Sequence, residues 1–267
     1  MKADLRGSGM GRKLVAGILA AAVALVLGCQ TGPVKSGPEA RKQAEASRNL
    51  GEAFMADGQY RQALRELEKS RDLFETSAEI HYDLGTAYLC LEQPELALAE
   101  FKRAIELNPH YTVAKNSLGA TYMALGRYDE AIPVFEELCG NLIYATPQFP
   151  LLNLGFIYYT RKDYAKAESY YKKAVEAAPD FAQAWRGLGR TYMATARMQD
   201  AVGAFERAVK AAPFFAQAFL ELGDAYELTG QGEKAVASWK RAAELSPDSD
   251  VGHQAGDRLS RYAAPGK

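Results

Sequence analysis

Residues 182–215 read AQAWRGLGRTYMATARMQDAVGAFERAVKAAPFF, and residues 216–249 read AQAFLELGDAYELTGQGEKAVASWKRAAELSPDS. The two stretches are equally long and align without a gap. Each carries a Leu-Gly pair at the same place, a Tyr three residues after that Gly, an Ala twelve residues after it and a large aromatic residue sixteen residues after it. This alignment indicates an internal repeat of 34 residues.

The same pattern extends toward the N-terminus of the chain. The Leu-Gly pair occurs at Leu50-Gly51, Leu84-Gly85, Leu118-Gly119, Leu154-Gly155, Leu188-Gly189 and Leu222-Gly223. All the intervals are 34 residues except one of 36, between the third pair and the fourth. Small residues at fixed places allow two helices to cross closely, so each repeat is expected to be a helix-turn-helix hairpin. The pattern resembles the tetratricopeptide repeat (TPR) family, which implies an all-α superhelical solenoid.

Six repeats account for most of the chain. They are predicted at residues 44–77, 78–111, 112–147, 148–181, 182–215 and 216–249. Residues 250–267 are predicted to form a polar capping helix, up to residue 263, and a short tail. Such a cap covers the last apolar face of a repeat array.

Residues 1–28 have the composition of an export signal. A basic start precedes the apolar run Leu14–Leu27, whose 14 residues are too few to span a membrane comfortably and are typical of a signal peptide. The run ends in Val26-Leu27-Gly28-Cys29, which resembles a bacterial lipobox. That resemblance implies cleavage before Cys29 and a lipid attached to its sulfur. A plain signal peptide with an incidental cysteine is the alternative.

The segment after the lipobox is expected to be a tether. Residues 29–43 begin with a stretch rich in Gly, Pro and Ser, a composition typical of flexible linkers. By the same resemblance, Gln30 after the cysteine implies sorting to the outer membrane in a host that follows the enterobacterial rule. The expected location is therefore the periplasmic face of a bacterial outer membrane.

The charge balance argues against nucleic acid as a partner. The full chain has 32 basic and 33 acidic residues, a formal net charge of −1. Removal of residues 1–28 leaves 28 basic and 32 acidic residues, a net charge of about −4. A weakly acidic protein lacks the positive field that attracts nucleic acid.

One face of the first helix in each repeat lines the concave groove of a TPR solenoid. In the fourth repeat the residues predicted on this face are Phe149, Leu152, Phe156 and Tyr159, all large and apolar or aromatic. The hairpin does not need such residues there, so they are a candidate docking site for a partner. Tyr82, Leu89 and Met123 extend the apolar stripe to the second and third repeats. The alternative is that the residues around Tyr144–Pro150 fold over the row and bury it.

Two basic residues face the same groove in the fifth repeat. Arg186 and Arg190 are four residues apart, so they share one side of a helix. The pair is a candidate for holding a carboxylate of the partner. The alternatives are a solvated face, or neutralisation by neighbours such as Asp224.

The remaining chemistry-bearing residues do not form a catalytic pattern. His81, His110 and His253 have no metal-ligand spacing, and the chain has no phosphate loop or serine-elbow motif. Cys90 and Cys139 are expected on opposite edges of the solenoid, too far apart for a disulfide, and both are interpreted as small buried hydrophobes. We therefore expect a protein that is not an enzyme and has no metal, cofactor or small-molecule substrate beyond the lipid on Cys29.

An exported lipoprotein with six such repeats resembles the type IV pilus pilotins, the family of PilF, PilW and Tgl. The irregular interval, Leu142-Ile143-Tyr144-Ala145-Thr146-Pro147 followed by Asn153-Leu154-Gly155, is similar to the same junction in that family. The resemblance implies a protein that helps the secretin subunit reach the outer membrane and assemble into the ring through which the pilus passes, and thereby supports twitching motility. The alternative is an adaptor for cell-envelope enzymes that act on peptidoglycan.

Overall fold

The structure is a computed structural model that describes residues 37–140 and 145–263. Within these ranges the chain forms thirteen α-helices and no β-strand. The helices are α1 (Pro38–Ala56), α2 (Tyr60–Leu73), α3 (Ala78–Cys90), α4 (Pro94–Leu107), α5 (Thr112–Ala124), α6 (Tyr128–Gly140), α7 (Gln148–Thr160), α8 (Tyr164–Ala177), α9 (Ala182–Ala194), α10 (Met198–Ala211), α11 (Ala216–Leu228), α12 (Gly232–Leu245) and α13 (Asp250–Ala263). The predicted signal segment 1–28 and Cys29 lie outside the described residues.

The helices stack as six hairpins in a row. Each helix packs against the helix before it and the helix after it along the chain. The first helices of neighbouring hairpins also touch, as in α5 with α7, α7 with α9 and α9 with α11, and no comparable contact joins neighbouring second helices within the described ranges. Because the first helices lie closer together, they form the concave side of the array. The predicted all-α solenoid of six hairpins with a capping helix is confirmed.

Glycine and a large side chain meet where the two helices of each hairpin cross. A Cβ atom built on Gly189 would lie 2.6 Å from Cε1 of Phe205, and one built on Gly119 would lie 2.7 Å from Cε1 of Phe135. Gly223 faces Trp239 in the same way. The alanine of the pattern is fully buried in all six hairpins, at Ala63, Ala97, Ala131, Ala167, Ala201 and Ala235. The recurring small residues therefore set the distance between the helices.

Helix α1 begins earlier than the repeat pattern suggests. The linker was predicted to extend to residue 43, whereas the helix begins at Pro38. Proline is favoured at the first helical position because its φ angle suits the helix and its missing N–H is not needed there. Ala40 and Ala44 on this extra turn and the next are buried, and the Ser70 hydroxyl donates a hydrogen bond of 2.7 Å to the Ala44 carbonyl.

Helix α13 closes the C-terminal end of the array. It packs on α12 and on the groove-forming helix α11. Arg258 Nε donates to Asp224 Oδ1 over 2.9 Å, and Trp239 Nε1 donates to the same oxygen over 3.1 Å. The Tyr262 ring lies 6.0 Å from the Trp239 ring, measured between centroids. The cap therefore covers part of the concave face of the sixth hairpin, and the groove is open mainly along the earlier hairpins.

Candidate functional site

Helix α7 is apolar on every side. Its inner faces bury Pro150, Leu151, Leu154, Ile157 and Tyr158 in the two adjacent helix interfaces. The remaining side of α7 carries the row of groove residues that was predicted from the sequence. A helix that is hydrophobic all round is expected to be fully buried, and α7 is not.

The exposed side of α7 is the groove row. Phe149 and Phe156 are 43% and 40% exposed, and Leu152 and Tyr159 are half-buried. Residues 141–144 of the junction, including Tyr144, lie outside the described residues. Residues 145–150, the part of the junction that the structure describes, leave Phe149 and Phe156 exposed.

The two ends of the row are held by neighbouring aromatic side chains. The Phe149 ring packs edge-on against Phe181, with centroids 5.5 Å apart. The Tyr159 ring packs against Tyr164, with centroids 5.6 Å apart, and the Arg190 guanidinium lies 4.7 Å from the Tyr159 centroid. Since both ends are fixed, the row presents a preorganised surface, which lowers the entropic cost of binding.

The middle of the row opens into a cavity of about 250 Å³ between α5, α7 and α9. Five of the predicted site residues line it: Met123, Leu152, Phe156, Arg186 and Arg190. Tyr82 and Leu89 do not line this cavity. Tyr82 instead packs between Phe101 and Tyr111, at centroid distances of 5.8 and 5.4 Å. Of the predicted apolar stripe, residues of the third and fourth hairpins therefore line the cavity, and the fifth hairpin adds the two arginines.

The two arginines of the cavity differ in their partners. Arg186 makes two hydrogen bonds to the Glu221 carboxylate, of 2.7 and 2.6 Å, so its charge is neutralised by the next hairpin. Arg190 stacks on Tyr159 and forms no ion pair with any described residue. Asp224, suggested from the sequence as a neutralising neighbour, is engaged by Arg258 instead. Only Arg190 keeps an uncompensated positive charge in the cavity.

The floor of the cavity is Tyr171 of α8, which the sequence analysis did not identify as a site residue. Its side chain is 4% exposed, and its hydroxyl forms no hydrogen bond within the described part of the chain. Two glycines make room for the ring. A Cβ atom on Gly155 would lie 2.6 Å from Tyr171, and one on Gly187 would lie 2.5 Å from it.

Two sequence signals mark this floor. Gly187 is a second glycine, two residues before Gly189 of the repeat pattern, and other repeats do not have it. Tyr171 stands where the other hairpins carry Leu67, Phe101, Phe135, Phe205 and Trp239. Burial raises the pKa of the Tyr171 hydroxyl well above its usual range, and the charges of Arg190 and Arg186 only partly oppose this rise. A tyrosine hydroxyl is protonated at neutral pH even at its usual pKa, so this hydroxyl is a hydrogen-bond donor.

The groove becomes charged toward the first hairpin. Arg48 Nε donates to Asp83 Oδ2 over 2.5 Å, and Arg48 also pairs with Glu52 at 2.7 Å. Burial raises the pKa of Asp83 to about 6. The effect of burial outweighs the attraction of the Arg48 guanidinium, which Asp83 shares with Glu52. A second cavity, of about 450 Å³, lies beside this cluster and is lined by Arg41, Glu45 and other largely polar residues.

Histidine and cysteine occupy structural positions. His81 is buried, with Nδ1 2.6 Å from a Glu100 carboxylate oxygen and Nε2 2.9 Å from the Glu75 carbonyl. Cys90 was predicted to be buried, and this was wrong: it ends α3 beside a turn and is exposed. Cys139 is half-buried, and burial raises the pKa of its thiol to about 11.

In residues 37–140 and 145–263, no group of three or more His, Cys, Asp or Glu side chains is arranged to hold a metal ion. No helix in these ranges is both long enough and apolar enough to cross a membrane.

Comparisons with known sequences identify the repeat. Family profiles described as tetratricopeptide repeat match residues 42–109, 82–146, 152–214 and 188–250. These matches cover most of the chain. No curated protein sequence matches it significantly.

Solved structures share the fold at low sequence identity. The structure of PilW, a widely conserved type IV pilus biogenesis factor, is 22% identical with a TM-score of 0.70, over 79% of this chain and 96% of PilW. PilF of Pseudomonas aeruginosa is 18% identical with a TM-score of 0.70, over 82% of this chain and 99% of PilF. YrrB, a TPR protein with an unusual peptide-binding site, is 22% identical with a TM-score of 0.53, over 72% of this chain and 97% of YrrB.

Proposed function

This chain belongs to the tetratricopeptide repeat family, and we propose that it is a pilotin: a scaffold anchored in the outer membrane that promotes localisation and multimer assembly of a type IV pilus secretin. The role is non-enzymatic and needs no cofactor, metal ion, small-molecule substrate or nucleic acid. Likeness to PilW and PilF over nearly the full length of both proteins supports this choice among TPR scaffolds.

The exposed row on α7 is the observation that carries the proposal. An unassembled secretin subunit must cross the periplasm with apolar, membrane-destined segments that need shielding from water. Phe149, Leu152, Phe156 and Tyr159 offer a rigid apolar surface in the middle of the concave side. Large aromatic side chains at the centre of an interface are typical hot spots, and loss of one costs about 2 kcal/mol of binding or more.

A lipid on Cys29 would supply the second part of the mechanism. Attachment through two or more acyl chains is stable, whereas one chain anchors only marginally. Pro38 is nine positions after Cys29, and a chain of that length spans at most about 30 Å. The groove would therefore stay near the membrane surface. Subunits bound to many such anchored copies would have a high local concentration, which favours ring assembly.

Co-purification from membranes tests the proposal. The wild-type protein, the double variant Phe156→Ser/Tyr159→Ser and the control Phe214→Ser are each isolated in mild detergent, and the proteins that co-purify are identified by mass spectrometry. Phe214 is a suitable control because it is 80% exposed on the loop between α10 and α11, outside the cavity. We expect the secretin subunit to co-purify with the wild type and with Phe214→Ser but not with the double variant. Equal recovery of secretin with all three proteins would contradict the docking site.

The charged end of the groove favours a second candidate function, an adaptor for envelope enzymes that act on peptidoglycan. Arg41, Arg48, Glu45 and Glu79 around the larger cavity suit a polar partner better than an apolar one. Recovery of a cell-wall hydrolase or synthase in place of secretin, with loss on substitution of Arg48, would support this second candidate.

A further inference from the structure

The cavity under the α7 row has a floor that the repeat architecture does not require. In five of the six hairpins, the residue that covers the conserved glycine is a leucine, phenylalanine or tryptophan. Only the fourth hairpin has a tyrosine there. Tyr171 lines the cavity, and its hydroxyl forms no hydrogen bond with a described residue. Gly187 on α9, which the repeat pattern does not call for, leaves the space for that ring.

The Tyr171 hydroxyl is a hydrogen-bond donor that no described residue accepts from. The Tyr171 side chain is more than nine-tenths buried, and its hydroxyl is protonated at neutral pH, as tyrosine hydroxyls ordinarily are. The cavity is therefore set to offer a hydrogen bond to an acceptor that enters it.

The charge in the cavity indicates which acceptor fits. Arg186 is compensated by Glu221, whereas Arg190 forms no ion pair with a described carboxylate. The local excess is one positive charge beside one hydroxyl donor. A carboxylate supplies one negative charge and accepts several hydrogen bonds, so it matches both groups.

The size and walls of the cavity indicate which kind of ligand carries the carboxylate. A volume of about 250 Å³ is below the roughly 300–1,000 Å³ of pockets for small molecules, so the side chains of a bound polypeptide suit it better than a metabolite. Met123, Leu152 and Phe156 form apolar walls above the floor. The occupant thus combines an apolar contact with an acidic group.

We infer that Tyr171 and Arg190 form a subsite for an Asp or Glu side chain of the docked polypeptide, next to an apolar residue held by Met123, Leu152 and Phe156. This inference rests on the proposed function, since it names the chemistry of the segment that the groove binds. A basic or amide residue at the same place would leave Arg190 unpaired or repelled, so the subsite also selects against other segments.

The test uses defined peptides instead of the natural partner. A library of random twelve-residue peptides displayed on phage is selected against the purified full chain. The tightest binder is synthesised in its acidic form and with each Asp and Glu replaced by the amide. Dissociation constants of both forms are measured by calorimetry for the wild type, Tyr171→Phe, Arg190→Gln and Phe156→Ser, with Tyr88→Phe as a tyrosine control in the second hairpin.

We expect selected peptides in which an acidic residue neighbours an apolar one. The acidic form should bind the wild type and Tyr88→Phe at least tenfold more tightly than the amide form. This preference should fall below about threefold with Tyr171→Phe and with Arg190→Gln. Tyr171→Phe should melt at the wild-type temperature, because phenylalanine already occupies this place in three other hairpins.

The outcomes separate the subsite from the groove. Selected peptides without acidic residues, or a preference for acid that survives both Tyr171→Phe and Arg190→Gln, would overturn the subsite. If those peptides still lose binding with Phe156→Ser, the proposed docking row stands without the subsite. Acid-selective binding that is insensitive to Phe156→Ser would support the subsite and contradict the row. Failure to select any peptide that binds this groove would count against the subsite as well.

Discussion

The ring of Phe205 lies against Gly189 so closely that any side chain at that glycine would displace it. A Cβ atom at Gly189 would stand 2.6 Å from Cε1 and 2.7 Å from Cδ1 of the phenylalanine. Both residues are fully or almost fully buried in the crossing of α9 and α10. The same relationship between a glycine and the residue sixteen positions later holds the other five hairpins together.

Gly189→Leu should therefore destabilise the solenoid. Overpacking a close helix crossing costs about 1–3 kcal/mol or more, because neither the Phe205 ring nor the two backbones can move freely. Thermal unfolding followed by circular dichroism measures the effect. Gly203→Ala is the matched control: it lies within α10 with no atom within 4 Å of an added Cβ, so it should stabilise by about 0.5–1 kcal/mol. An unchanged melting temperature for Gly189→Leu would mean that the crossing is misplaced.

The turn inside the fifth hairpin contains a strained residue. Ala196 has a φ angle of +57°, whereas Gly58, Gly126 and Gly230 occupy the matching place in three other hairpins. A left-handed conformation costs a residue with a Cβ atom roughly 1–2 kcal/mol. Ala196→Gly should raise the free energy of unfolding by about 0.5–1 kcal/mol after allowance for the more flexible unfolded chain.

A control separates this effect from a general response to glycine. Ala237 is exposed within α12, so Ala237→Gly should lower stability by about 0.5–1 kcal/mol. Urea unfolding of both variants gives the comparison. A loss of stability in Ala196→Gly similar to that in Ala237→Gly would contradict the strained turn.

The stability of the first two hairpins should depend on the protonation of Asp83. Its pKa is raised to about 6, whereas an unfolded aspartate titrates near 3.9. The folded state therefore holds more protons between about pH 4 and pH 6, and stability from this group falls as the pH rises through that window. Asp83→Asn should remove this dependence. From pH 4 to pH 7, the free energy of unfolding of the variant should therefore rise relative to that of the wild type by an amount on the order of 1–3 kcal/mol.

Urea unfolding at pH 4.5 and pH 7 measures that difference. Other carboxylates titrate in both proteins, so the comparison isolates Asp83. Glu79, whose pKa is lowered chiefly by a hydrogen bond from Ser77, is the contrasting case. The stability of Glu79→Gln should fall relative to that of the wild type as the pH rises. A constant difference between Asp83→Asn and wild type at the two pH values would show that Arg48 keeps Asp83 ionised.

Anchoring depends on a single residue in the proposed mechanism. Cys29→Ser should release the protein from the membrane fraction, because the sulfur that accepts the lipid is replaced. Fractionation and mass spectrometry of the mature N-terminus provide the measurement. A wild-type protein that begins at any residue other than a modified Cys29 would contradict the lipobox interpretation.

The register of the hairpins was predictable because each crossing needs a small residue at the same place. The spacing of Gly155, Gly189 and Gly223 placed the helices along the chain and put Phe149 and Phe156 on the concave side. Periodicity does not report the start of the first helix, which Pro38 and the buried Ala44 decide. Nor does it show that Cys90 at the end of α3 is exposed.

Ion pairs between neighbouring hairpins were harder to predict from the sequence. Arg186 forms an ion pair with Glu221, and Arg48 forms one with Asp83; each partner lies 35 residues further along the chain. A search for opposite charges one repeat plus one residue apart would have found both pairs. Tyr171 was missed because a tyrosine in a core position is most simply interpreted as packing. The repeat pattern does not show that Tyr171 also lines the cavity in the groove.

The docking of secretin at the α7 row is the central claim, and the amount of assembled secretin tests it most directly. In cells that express either wild type, Phe156→Ser/Tyr159→Ser or Phe214→Ser in place of the natural gene, the secretin multimer that resists heat and detergent is measured by immunoblotting. We expect the double variant to be exported and helical like the wild type but to lose the multimer, with accumulation of secretin monomer and loss of surface pili. Phe214→Ser should match the wild type. A folded double variant with wild-type levels of multimer would contradict the account.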